Sequence, residues 1–412
     1  MSKKILFCSL FILIFLIPSK QDPNAKTWRQ HNTTVHADSI LAAMDRGDSV
    51  LIDSCEIFDP LIQIGMFEEL DTIRSLVRIA YSTFHDMVSF LSCCFLRDVC
   101  FDSSIFLEKV SFFHTTFNGV SAFSGVSFHN PPSFSYSTFT QDVNFSGATF
   151  SEGAAFSSTI FGGYASFGGA TIRTLAYFFE ARFDTTVNFS GVECGLGLFV
   201  MATFNGDAFF RDASFEKANF RKAQFGGIVD FSLKEFKDVA VSWDQLKGHL
   251  WYFKPTVYKL MKYFEEQRQL DDADGAYLFL KDQERMEKRW YIRYPEYWFI
   301  QQTCGYGVDP LLPLRASLVV VALFAIPYYL IKIREPKWAL GAGLKRIGIK
   351  AWNAFYFSGN TFVSGAPIEW TPEDTRSSKR HYLFRILTTV ERTSGWILLV
   401  LFVVTLTRKF IR

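Results

Sequence analysis

Residues 213–225 read Ala213-Ser214-Phe215-Glu216-Lys217-Ala218-Asn219-Phe220-Arg221-Lys222-Ala223-Gln224-Phe225, three phenylalanines five apart, each with alanine two positions before it. The pattern extends outward from this stretch. Upstream, aromatics recur in steps of six and five from Phe84 through Phe90, Phe95, Phe101 and Phe106 to Phe167. The series continues at Ile172, Phe178, Phe183, Phe189 and Cys194, then mostly in plain fives from Phe199 to Phe236. Of these 29 centres only Ile172 and Cys194 are not Phe, which excludes chance. Two positions before most centres stands a small or β-branched residue, as at Val88, Val99, Val110, Val143, Ala148, Ala154 and Ala165. Ser, Thr, Gly, Asn and Asp fill the gaps. Neither a helical period nor simple strand alternation fits a five-residue cycle. A solenoid that turns a corner every five residues does, with the small residue and the Phe pointing inward.

The stretch 213–225 resembles the pentapeptide repeat family, and the resemblance covers about half the chain. It implies a right-handed quadrilateral β-helix with four faces and roughly twenty residues per coil. Where sixes and fives alternate, two 11-residue units make a 22-residue coil, the extra residue bulging at alternate corners. Twenty-nine centres over four faces give about seven coils, a rod roughly 34 Å long. Phe112, Phe134 and Phe156 lie 22 apart and should stack along one inner face, with Phe145 on another. Each buried ring contributes on the order of 2–3 kcal/mol. Leu51, Ile52, Ile57, Ile73 and Ile79 mark an opening coil or cap, which an open solenoid end requires.

Charge is nearly balanced, 43 Lys and Arg against 41 Asp and Glu, so no nucleic-acid partner is expected. Some pentapeptide repeat proteins mimic DNA and bind gyrase, but that needs an acidic rod. The seven cysteines are irregularly spaced, without a CxxC pair or a histidine cluster, so neither a disulfide framework nor a zinc site is expected. No Ser-His-Asp, paired-carboxylate or metal constellation assembles, so neither catalysis nor a cofactor is expected. Asn144-Phe-Ser and Asn188-Phe-Ser match a glycosylation acceptor, but are more economically repeat residues flanking a core Phe.

Residues 1–20 read as an export signal or anchor: Lys3 and Lys4, an apolar run from Ile5 to Ile17, then Pro18 and Ser19. Residues 21–49 form an N-terminal segment and 50–238 the β-helix with its cap. Residues 239–304 form a helical connector, starting with an aromatic cap (Trp243, Leu246, Trp251, Tyr252, Phe253) and continuing as an antiparallel α-helical hairpin. Asp271, Asp272 and Asp274 in it suit helix capping better than a cation site, lacking the glycine and terminal glutamate of a calcium loop. The aromatics from Trp290 to Phe299 resemble an interfacial belt.

Residues 305–412 are expected to form a two-span membrane module. Leu311–Ile333 is long enough to cross a bilayer, and Gly395–Leu406 lies within a second, longer helix whose Arg385, Glu391, Arg392, Arg408 and Lys409 must snorkel or face protein. Between them, an amphipathic helix over 344–352 leads into a Ser/Thr/Gly loop over 354–367. This order is similar to a potassium-channel pore domain, in which Ser358, Asn360, Thr361 and Ser364 would be the residues able to line a pore. Conduction would require a homo-oligomer. The loop lacks the Gly-aromatic-Gly of a potassium filter. The Thr303-Cys-Gly-Tyr-Gly307 string precedes the first span and is read as a turn.

The expectation for function is a multi-pass membrane protein whose β-helix is an exported interaction or sensor rod joined to a degenerate channel-like module. The alternative is a scaffold whose helices only anchor it. Partners are then the membrane and a protein or surface met by the rod. The export signal and the Lys- and Arg-rich segment between the spans both put the rod outside the cytosol.

Overall fold

The computed structural model describes residues 26–66, 70–235, 237–331, 346–363 and 378–411. The chain divides into two compact units, one ending at Asp272 and the other starting at Ala273. The boundary falls within the expected connector 239–304, which is therefore shared between the units. The expected export signal, the filter-like stretch after Val363 and most of the basic segment between the spans lie outside the described residues.

The first unit is a parallel β-solenoid of about ten turns. One face carries a ten-stranded ladder that starts at Thr27–His31 and climbs through Ser49–Asp53, Val77–Ala80, Val99–Cys100 and Ser121–Ala122 to Val229–Asp230. Two further faces carry an eight- and an eleven-stranded ladder. The fourth begins at Leu61–Ile64, passes Val88–Leu91 and Val110–Ser111, and continues through single bridges at Ser133 and Ala155. The count exceeds the expected seven turns, and the ladder begins well before residue 50. The phenylalanine series misses the opening turns because Val50, Ile52, Ile57 and Ile73 take the buried positions there. A short helix, α1 (Ala37–Asp45), interrupts the first turn and buries Ile40 and Met44 against it.

From Phe84 onward the register follows the period. Phe112, Phe134 and Phe156 stack with centroids 5.2 Å apart at each step and rings within 12° of parallel. Phe145 stacks on Phe123 at 4.9 Å and under Phe167 at 5.1 Å, while Phe134 from the opposite column meets it edge-on at 5.2 Å. Rings are thus offset-stacked along the axis and T-shaped across it, both favoured by the aromatic quadrupole. At two corners of each coil the residue two after the Phe takes a left-handed conformation. Gly147 (φ 66°) does so in the turn closed by Ala148 N–H to the Phe145 carbonyl, 3.1 Å. The six-residue steps occupy the other two corners. There Gly119 lies so close over the coil before it that a Cβ would sit 2.4 Å from the Arg97 carbonyl carbon and the Asp98 nitrogen.

The inward small position also accepts hydroxyls, which the alanines and valines of the motif do not reveal. Ser137 Oγ donates to the Phe112 carbonyl at 2.5 Å and Thr159 Oγ1 to that of Phe134 at 2.7 Å, so each is satisfied by the previous coil. Asn144 and Asn188 accept the backbone N–H two residues on, each at 2.9 Å, and so brace their corners.

Trp243, Leu246 and Leu250 close the C-terminal end, whereas Trp251 and Phe253, also expected in the cap, are exposed. The helix α2 (Trp243–Leu246) carries Gln245, whose amide donates to the carbonyls of Phe220 and Ala223. The helix α3 (Lys254–Glu266) starts with Pro255 in its first turn and buries Val257, Leu260 and Phe264. Its Tyr263 hydroxyl takes the N–H and the carbonyl of Val239, each at 2.9 Å, ending the ladder with its edge bonded.

In the second unit α4 (Leu270–Met286), whose first residues belong to the solenoid unit, is followed by α5 (Trp290–Glu296) and a π-turn to Gln301. Gly305–Gly307 then forms a tight left-handed turn, with Tyr306 at φ 53°. Three long helices follow: α6 (Leu311–Ile331), α7 (Arg346–Val363) and α8 (Ser378–Ile411). Leu311–Leu330 and Tyr382–Arg408 are long and apolar enough to cross a membrane. The expected Ser/Thr/Gly loop is corrected as far as Val363, because α7 continues through 354–363.

Candidate functional site

Helices α6, α7 and α8 converge on a core of Tyr328, Ala354, Phe357 and Phe384, edged by Phe324 and Leu387. The Tyr328 ring meets Phe357 edge-on at 4.9 Å. At Gly395 of α8 a Cβ would lie 2.2 Å from the Phe362 carbonyl, so glycine lets the α7 backbone touch α8 there. Beside this contact an apolar cavity of about 590 Å³ is lined by Leu318, Val321, Phe355, Phe362, Trp396 and Leu399 among others.

One polar cluster sits inside this packing. Glu391 of α8 is fully buried, with Tyr328 Oη donating to its Oε2 at 2.7 Å. Its Oε1 is in hydrogen-bond contact with Ser358 Oγ of α7, which also bonds the Val321 carbonyl of α6 at 2.8 Å. All three helices therefore meet at one carboxyl. An ionisable residue at this depth is a default candidate for function.

The structure distributes the four expected pore-lining residues unevenly. Ser358 and Thr361 are wholly buried, Ser358 inside the cluster and Thr361 one turn further, its hydroxyl without a partner among the described residues. Asn360 is half-buried, and Ser364 lies outside the described residues. Of the two options open to Glu391, snorkelling or facing protein, the structure shows the second. Tyr328 had no such signal, because a tyrosine after Pro327 in an apolar run reads as lipid-facing.

The charged end of α8 is also held by protein. Arg408 stacks on the Tyr277 ring at 4.5 Å and donates to Asp274 and to the Tyr306 carbonyl, each at 3.3 Å. The Gly305–Gly307 turn thus presents a carbonyl to a cation, but the cation is an arginine of the same chain. Asp272 accepts the Trp243 N–H at 2.7 Å. Among the described residues no group of histidines, cysteines and acids is placed to hold a metal ion. The segment 290–301 buries no residue and leaves Trp290, Trp298 and Phe299 more than 60 % exposed.

Exposed apolar side chains are spread over the solenoid, Ile64, Tyr81, Leu96, Ile105 and Ile228 among them, and one group lies beside the Phe134–Phe156–Phe178 column. Tyr136, Tyr177, Phe179 and Met201 are exposed, and Phe113 meets the Tyr136 ring at 5.4 Å.

No curated protein and no solved structure matches the chain. The family model of the pentapeptide repeats matches nine copies over residues 112–160 and 197–232. The gap between the two matched blocks contains Ile172 and Cys194, the two centres that are not Phe. The solenoid thus carries pentapeptide repeats over 112–160 and 197–232.

Proposed function

We propose that the chain is a non-catalytic, membrane-anchored scaffold whose right-handed solenoid is an interaction rod on the extracytoplasmic side, tied down by α6 and α8. The observation that carries the anchor reading over the channel-like one is the burial of Ser358 and Thr361. The hydroxyls that would replace water around a passing ion are turned into the bundle of a single chain, and Ser358 is already bonded there. The exposed aromatics of 290–299, just before α6, support the membrane reading, since such rings favour the headgroup level. The exposed Tyr136, Tyr177 and Phe179 support the solenoid wall as the place where a partner protein docks. We read α3 and α4 as an antiparallel hairpin linking rod and anchor.

The experiment is reconstitution of the full chain into planar bilayers, paired with labelling of Cys94 in spheroplasts by a membrane-impermeant thiol reagent. Silent bilayers and labelling without lysis are expected. Single-channel events abolished by Thr361→Val would restore the pore reading, and labelling only after lysis would reverse the orientation.

A further inference from the structure

We propose that Glu391 carries a proton, so that Tyr328, Glu391 and Ser358 form a proton-binding site inside the three-helix bundle. The argument is a count of hydrogens. Three oxygen–oxygen contacts hold the cluster: Tyr328 Oη to Glu391 Oε2, Ser358 Oγ to Glu391 Oε1, and Ser358 Oγ to the Val321 carbonyl. Each needs a hydrogen of its own, and a carbonyl has none to give. The two hydroxyls supply two, so the third is on the carboxyl. The chain then runs in one sense. Tyr328 donates to Oε2, the Oε1 hydroxyl donates to Ser358, and Ser358 donates to Val321, leaving no donor unused.

The surroundings agree. The charged side chains of α8 nearest Glu391, Arg385 and Arg392, are exposed, and α7 has no charged residue between Ala351 and Val363. From α6 the group facing Glu391 is the Tyr328 hydroxyl, and Arg315, four turns earlier, is exposed. A carboxylate buried among hydroxyls and aromatic rings, without a cation, would be strongly disfavoured against the neutral acid. When the proton leaves to solvent, the carboxyl becomes a carboxylate and the Ser358 hydrogen must turn from the Val321 carbonyl to Oε1. That breaks the α6–α7 bond of the cluster, so proton occupancy is coupled to helix packing. This inference rests on the packing of the three helices and not on the anchor reading.

The test is infrared spectroscopy of the full chain in mild detergent at neutral pH, with ¹³C-carboxyl glutamate to mark glutamate bands. A protonated-carboxyl C=O band that moves with the label is expected. Glu391→Gln should delete it. Tyr328→Phe should shift it to higher frequency, because Oε2 loses its donor. A labelled chain with no protonated-glutamate band overturns the proposal without any variant. A band that persists in Glu391→Gln overturns its assignment to this site.

Discussion

Phe145 in the solenoid and Glu391 in the helical unit are equally buried, and they are held by opposite means. Phe145 touches rings above, below and across from it, and each contact is repeated one coil away with the same spacing. Glu391 is held by Tyr328 and Ser358, 63 and 33 residues away in sequence, in an arrangement found once among the described residues. Repetition distributes stability over many weak and equivalent contacts. The helical unit concentrates specificity in one polar cluster, whose loss no neighbour can make good.

The largest effect is expected from breaking the stack. Phe145→Asp sets a carboxylate between Phe123 and Phe167 without a partner and should cost several kcal/mol. Ser146→Asp, one residue on and half-exposed, should cost under about 1 kcal/mol. Urea unfolding of the two variants checks this, and equal costs would sink the inward and outward assignment.

That prediction could be written from the sequence because the period sets which side chains share a column. Phe112, Phe134, Phe145 and Phe156 were legible by counting, as were two helices long and apolar enough to cross a membrane. The first coils were legible only in part: Ile52, Ile57, Ile73 and Ile79 marked an opening coil, but the start of the ladder at Thr27 was not readable, since Val35 and Val50 keep the shape of the repeat without its phenylalanine. Nor was the extent of α7. Ser358, Gly359 and Asn360 read locally as a loop, yet packing against α6 and α8 makes them helical, tertiary context overriding propensity. The cluster around Glu391 was half legible. A lone acid in an apolar helix signals a buried partner, but nothing local to Tyr328 or Ser358 names them.

Between the extremes, Tyr328→Phe should cost about 1–3 kcal/mol, the range for a buried hydrogen bond to a carboxyl, read as a lower thermal midpoint of the helical unit. The solenoid counterpart is a pair of glycines. Gly119→Ala forces a Cβ into the backbone of the coil before it and should cost about 2–3 kcal/mol. Gly147→Ala meets nothing within 4 Å, and only its left-handed φ opposes it, at about 1 kcal/mol. Costs in the reverse order would show that the corners, rather than the rungs between coils, limit the fold.

The smallest effect is chemical rather than energetic, and it separates inside from outside within two adjacent residues. Cys93 points into the solenoid and is fully buried, while Cys94 points out and is half-exposed beside Asn118. Burial, with Asp71 nearby, pushes the Cys93 thiol up to about 12. Burial beside Asp102 and burial near Glu216 do the same for Cys100 and Cys194. Cys94 is raised too, by burial alone. The thiolate is the reacting form, so raising the pKa lowers its fraction, by tenfold per unit once the pH is well below the pKa. Maleimide labelling of the folded chain at pH 8 to 9 should therefore be confined, among these four, to Cys94. Its rate should climb with pH yet stay below that of a free thiol. Cys93, Cys100 and Cys194 should label only after denaturant opens the coils. Equal labelling of Cys93 and Cys94 in the folded chain would mean that this rung is open, and that the columns below Phe95 are not the closed stack that the period implies.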